Sequence, residues 1–107
     1  MGHISKYLTV WMRECWYLKS NLHLSSTTPN WTKEPLIYAL TIEIITVNPY
    51  FQRQGHYKRF IHNMCLDERY EMVVVECVRN KILRDALIRW GWEHDPIVQD
   101  YYWKRKK

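Results

Sequence analysis

The sequence predicts a single α/β domain built on a small mixed β-sheet with helices packed on it. Three observations carry this reading. They are a β-branched run from Leu36 to Val47 that stops at Asn48-Pro49, a helical apolar repeat from Gly55 to about Leu66, and a short apolar run from Tyr70 to Val78. Strand, helix and strand in that order imply a parallel pair joined by a crossover.

From the N-terminus, Ile4, Tyr7, Leu8, Trp11, Met12 and Cys15 step by threes and fours, so the spacing predicts an amphipathic helix to about Leu18. Asn21 to Pro35 includes Ser25, Ser26, Thr27, Thr28, Pro29 and Asn30 and has no clear period, which predicts a connection. In the Leu36 to Val47 strand, simple alternation puts Ile42, Ile44 and Thr46 on one face and Thr41, Glu43 and Ile45 on the other. The proline at 49 ends it by biasing its predecessor away from the helical region.

Tyr57, Phe60, Ile61, Met64 and Cys65 then form an apolar helical stripe, with Lys58, Arg59 and His62 outside it. Val73, Val74 and Val75 make the second strand apolar enough to lie centrally in the sheet. Asn80 suits the N-cap of a second helix whose stripe is Ile82, Leu83, Ala86, Leu87 and Trp90, and Gly91 stops it. Trp92 to His94, a turn at Asp95-Pro96, and Asp100 to about Lys104 predict a hairpin-like ending.

Composition supports a folded chain. A domain of 107 residues buries roughly 65% of the surface its unfolded chain exposes, so it holds a core without staples. No apolar run reaches the roughly 20 residues a membrane helix needs, and Glu43 interrupts the longest. Lys6, Arg13 and Glu14 interrupt the N-terminal apolar residues, so no secretory signal is expected and the cytoplasm is the expected location. Cys15, Cys65 and Cys77 are odd in number and far apart, and the five histidines are scattered, so reduced thiols and no metal site are expected.

The formal charge is +5, and Lys104, Arg105, Lys106 and Lys107 supply four of those five charges. The basicity belongs to a tail, read as a solvated end that could also attract nucleic acid. Trp90, Trp92, Tyr101 and Trp103 beside it read as core, leaving Tyr102 and the lysines free to stack and pair.

The informative stretch is Val47-Asn48-Pro49-Tyr50-Phe51-Gln52-Arg53-Gln54-Gly55-His56-Tyr57, between a strong strand and a strong helix. A helix start leaves its first N–H groups unpaired and aims them, with the positive dipole end, at whatever sits in front. The dipole contributes about 0.3–1 kcal/mol at exposed sites, so Arg53 or Lys58 would have to supply more for a phosphate. A loop with one glycine is also what an ordinary strand-to-helix turn looks like.

Residues 36–103 resemble the GNAT family of acyl-CoA N-acetyltransferases. Gln52-Arg53-Gln54-Gly55-His56-Tyr57 matches the first and fourth positions of the family's Gln/Arg-x-x-Gly-x-Gly/Ala pyrophosphate loop, with Tyr57 where a small residue is usual. The likeness continues through Val78, Asn80, Leu83, Leu87, Gly91 and Trp92, and in so short a chain is most similar to bacteriophage-encoded members. It implies a domain of three parts: an N-terminal helix and connection (1–35), an acetyl-CoA-binding core (36–103) and a basic tail (104–107).

The resemblance implies acetyl-CoA as cosubstrate, an amine of a small molecule or protein as acceptor, and the host cytoplasm as location. Gln52, Arg53, Gln54, Gly55, His56 and Tyr57 would hold the pyrophosphate, the backbone near Thr46 and Val47 would polarise the thioester, and Asn80 would line the pantetheine side. A lysine-like amine with a pKa of about 10.4 costs about 4.6 kcal/mol to deprotonate at pH 7, and Glu43 matches the region where some members carry a catalytic carboxylate. A solvated or ion-paired Glu43 fits the sequence equally.

Many members protonate the departing thiolate with a tyrosine seven residues after the asparagine; here that position is Leu87, which leaves slow turnover, a substitute such as Tyr57 or Tyr102, or no catalysis. Only some 35 residues precede Leu36, fewer than the family's usual strands and acceptor-site helices need. The N-terminal helix or a second subunit would complete the acceptor wall, or the chain binds cofactor without chemistry; the alternative is a catalytically inactive binding protein that acts on a host protein or nucleic acid.

Overall fold

The computed structural model describes residues 1–18, 21–25, 36–52, 54–76, 78–95 and 99–105. Its strands are β1 (Gly2–Ile4), β2 (Leu8–Leu18), β3 (Asn21–Ser25), β4 (Leu36–Val47), β5 (Met72–Val75), β6 (Glu93–Asp95) and β7 (Asp100–Lys104). Two helices, α1 (His56–Leu66) and α2 (Lys81–Arg89), follow β4 and β5 respectively. Among the described residues the strands form one mixed sheet in the order β1-β2-β4-β5-β7-β6, with β3 also beside β2.

The parallel pair is β4 with β5, from Ala39 opposite Met72 to Ile42 opposite Val75. The hairpin-like ending is β6 antiparallel to β7, and β7 lies against β5. Asn80 caps α2 by accepting a hydrogen bond from the Leu83 N–H at 3.1 Å, and Gly91 follows the helix at a φ of 82°, in the left-handed region. Both helices use the same sheet face, where Ile61 of α1 and Leu83 and Leu87 of α2 join Val10, Leu40, Ile42, Val73 and Tyr101 in one core. Tyr17, Ile37, Ala39, Met72 and Val74 form a second, smaller cluster on the opposite face.

The N-terminal segment corrects the sequence expectation. Instead of a helix it contains β2, which pairs antiparallel with β4 along the whole of both strands, from Leu8 opposite Val47 to Leu18 opposite Leu36. Leu8, Val10 and Met12 are buried at period two, and this alternation coexists in the sequence with the three-and-four spacing of Tyr7, Leu8, Trp11, Met12 and Cys15. Pairing with a long apolar neighbour satisfies the backbone and buries the alternating set, so tertiary context overrides local period. The expected connection after it also begins with a strand, β3; residues 26–35 lie outside the described residues.

A β-bulge corrects the facial assignment within β4. Trp11 faces Ile44 and Met12 faces Ile42, so Glu43 is the extra residue. Past it the alternation inverts: Ile45 and Val47 join Ile42 on the helix-covered side, while Ile44 and Thr46 are exposed.

Within the basic tail, Arg105 departs from the expected solvated end. Arg105 is half-buried, its guanidinium donates to the carbonyls of Cys65 (2.7 Å), Asp67 (2.9 Å) and Tyr70 (3.2 Å), and its N–H donates to Glu71. It closes the C-terminal end of α1, where the helix dipole is negative. Lys106 and Lys107 lie outside the described residues. No helix among the described residues is long and apolar enough to cross a membrane.

Candidate functional site

The site begins where β4 and β5 part. Their last rung is Ile42 with Val75, after which the Glu76 N–H still donates to the Ile42 carbonyl at 2.9 Å. β4 runs on to Val47, whereas the chain after β5 leads to Asn80 and α2. The bulge at Glu43 bends β4 at that point, so the sheet opens between its two parallel strands.

Val47 leads into a short helical turn, Pro49–Phe51, that Asn48 organises by accepting from the Tyr50 N–H at 3.1 Å. Asn48 also ties the turn to the N-terminal hairpin, donating from its side chain to the Lys6 carbonyl and from its N–H to the Tyr7 carbonyl. Gly55 then reverses the chain at a φ of 79°, which side chains rarely adopt, and α1 starts at His56 with no side chain capping it. Its first N–H groups are therefore aimed forward with no side-chain acceptor at the cap.

A cavity of about 400 Å³ opens in front of this helix mouth, between Val47, Gln52, Gly55 and Tyr57 on one side and Asn80, Leu83 and Ala86 on the other. Lys58 of α1 and Arg89 of α2 line it as well. A smaller hollow of about 200 Å³ lies at the strand split, bounded by Glu43, Ile45, Val75, Glu76 and Arg79. Asn80 and Leu83 border both, so the start of α2 separates two adjoining spaces.

The charges at the mouth are held in place. Arg59 donates to His56 Nδ1 at 3.0 Å, and Nε2 faces the Gln54 side chain at 3.4 Å. The Tyr7 ring stacks on His56 with centroids 4.6 Å apart and meets Phe51 edge-on. Tyr57 is half-buried; burial pushes its hydroxyl pKa up, opposed in part by the nearby Val47 backbone. At the strand split, Glu43 is ion-paired with Arg13 of β2 at 3.5 Å.

No protein-family model matches this chain, and no curated protein matches it.

Of the residues the sequence nominates, Val47, Gln52, Gly55, His56, Tyr57 and Asn80 come together around the larger cavity, and Glu43 borders the smaller one. Gln54 is exposed beside His56, and Arg53 lies outside the described residues. Thr46 is exposed, pairs with Thr9 and borders neither space. Tyr102 stands apart from both: it packs on the second cluster across the sheet, and its hydroxyl donates to Glu93. Leu87 is fully buried in the main core.

Phe51, Arg89 and Trp90 also line the cavity, and Tyr7 covers His56. Trp90 and Arg89 sit at the end of a stripe already legible as helical, but nothing in their spacing distinguishes a cavity wall from core. Tyr7 and Arg13 reach the site only because β2 is a strand beside β4.

Proposed function

We propose that this chain binds acetyl-CoA and transfers the acetyl group to an amine, as its likeness to the GNAT family implies. The observation that carries the reading is the cavity of about 400 Å³ at the uncapped, glycine-led mouth of α1, adjoining the split between β4 and β5. Its volume falls within the roughly 300–1,000 Å³ of ligand pockets. The diphosphate would sit before α1 with Lys58 and Arg89 as counter-charges, and the pantetheine arm would run past Asn80 toward Glu43.

In the reaction the amine nitrogen attacks the thioester carbonyl, a C–N bond forms and the C–S bond breaks. Glu43, at the split, would accept the amine's proton. Tyr57 would return a proton to the thiolate: it lines the cavity, and burial raises its pKa, so it is protonated at neutral pH. Calorimetric titration with acetyl-CoA tests the reading. Wild type should bind and Gly55→Glu, which adds bulk and negative charge at the mouth, should not; equal binding, or none in either protein, discards it.

A cofactor binder without turnover is the second reading, favoured by the burial of Leu87 where many members carry the acid. Binding without acetylation of any amine tested would select it. The nucleic-acid reading loses support from Arg105, whose guanidinium is occupied by three carbonyls.

A further inference from the structure

The Arg13 side chain leaves β2 and crosses β4 to reach the end of β5. Arg13 stands opposite Thr41, and Thr41 stands opposite Val74, so the guanidinium bridges two strand spacings, about 9.6 Å in all. There it forms a fork with Glu76: Nη1 lies 3.2 Å from Oε2, and Nη2 donates to Oε1. The same Nη1 lies 3.5 Å from Glu43 Oε2. One cation therefore serves two carboxylates, and the less covered of them is Glu43, 42% exposed against 23% for Glu76.

We infer that Arg13 is a positioning residue that straps the end of β5 to β2 across the strand split and fixes the Glu43 carboxylate at its edge. Glu76 sits one residue beyond β5, where its N–H makes the last bond to β4 before the strands part. Holding its side chain fixes where the split begins, and the bulge presents Glu43 at the same level. A planar bidentate fork resists rotation in a way a lysine ammonium does not. Hydrogen bonding to Glu76 raises the Arg13 pKa, so the strap stays charged wherever the protein is folded. The three groups carry one net negative charge, which Arg79, bordering the same hollow, balances.

The catalytic consequence rests on the transferase reading; the strap itself does not. The test compares Arg13→Gln, Arg13→Lys and Glu76→Gln with wild type in the full chain by amide hydrogen exchange, acetyl-CoA titration and steady-state acetylation of spermidine. The Glu76 amide should exchange at least about ten-fold faster in Arg13→Gln and Glu76→Gln. The Glu71 amide, bonded to Tyr38 at the other end of the same strand at 2.9 Å, should not change. Acetyl-CoA affinity should hold within about two-fold while kcat falls at least about ten-fold, with part of the loss recovered in Arg13→Lys.

Unchanged exchange at Glu76 overturns the strap, whatever the activity. Equal acceleration at Glu71 also overturns it, because the loss would then be global. If wild type binds no acetyl-CoA, the transferase reading fails alone, and the exchange comparison still decides the strap.

Discussion

The Tyr57 hydroxyl of α1 and the Val47 backbone N–H at the end of β4 lie within reach of each other at the wall of the cavity. A thioester carbonyl seeking that amide would compete with the tyrosine. Tyr57→Phe keeps the ring and removes the acceptor. A net hydrogen bond is worth about 1 kcal/mol, so acetyl-CoA should bind about five-fold tighter to the variant. If Tyr57 is also the proton donor, turnover should fall by about 10²-fold or more. Titration and steady-state rates on one preparation separate the two effects; tighter binding with unchanged turnover would remove Tyr57 from the chemistry.

Arg105 anchors the C-terminal end of the chain to α1. Its three carbonyl contacts make Arg105→Ala a loss of about 2–3 kcal/mol, the range for hydrogen bonds to a charged group, offset in part by water at the exposed side. In thermal unfolding this is a drop of roughly 8–20 °C. Lys104→Ala, at an exposed position, should stay within about 0.5 kcal/mol of wild type. Deleting residues 104–107 would therefore disturb folding, and any loss of nucleic-acid binding on that deletion must be checked against Arg105→Ala alone.

Burial pushes the Cys65 thiol and the Tyr70 and Tyr102 hydroxyls each up to about 12. All three folded values lie above the unfolded ones, so their stabilisation is fully present below the unfolded values and fades as pH rises through the folded ones. Urea unfolding under reducing conditions should show a plateau up to about pH 8 and a decline between about pH 9 and 12. Cys65→Ala should flatten the first part of that decline, since the thiol has the lowest unfolded value, about 8.5, of the three. An identical slope in the variant would assign the decline to the tyrosines.

The legible parts of the fold were those whose signals are local. Asn48-Pro49 ended β4, Gly55 and Asn80 opened the helices, and Gly91 closed the second, because each residue acts on its own backbone. The β2 strand was illegible because its residues fit two periods, and the choice was made by a partner some 30 residues away. A greater separation hid the Arg13 fork with Glu76, whose two residues are 63 positions apart. Arg105 was misread because charge composition marks a tail but cannot show which guanidinium meets a helix end. At the site, Val47, Gln52, Gly55, His56 and Tyr57 line one cavity because a strand–turn–helix order keeps them near one another, whereas Thr46 lies off it and the Glu43 bulge depends on register with β2 and has no mark in β4 alone.

Asn80 occupies two positions at once, as the cap of α2 and as a wall shared by both cavities, and substitution can separate them. Its side-chain oxygen accepts from the Leu83 N–H, a bond that serine can replace and alanine cannot. Asn80→Ala should cost about 1 kcal/mol in denaturant unfolding, and Asn80→Ser should stay near wild type. Both variants lose the amide nitrogen that Asn80 would offer to a pantetheine carbonyl. If that nitrogen binds the cofactor, acetyl-CoA affinity should fall by about five-fold in both, although only one is destabilised. Affinity that instead follows stability, normal in serine and weak in alanine, would mean that Asn80 contributes only by holding the helix start in place.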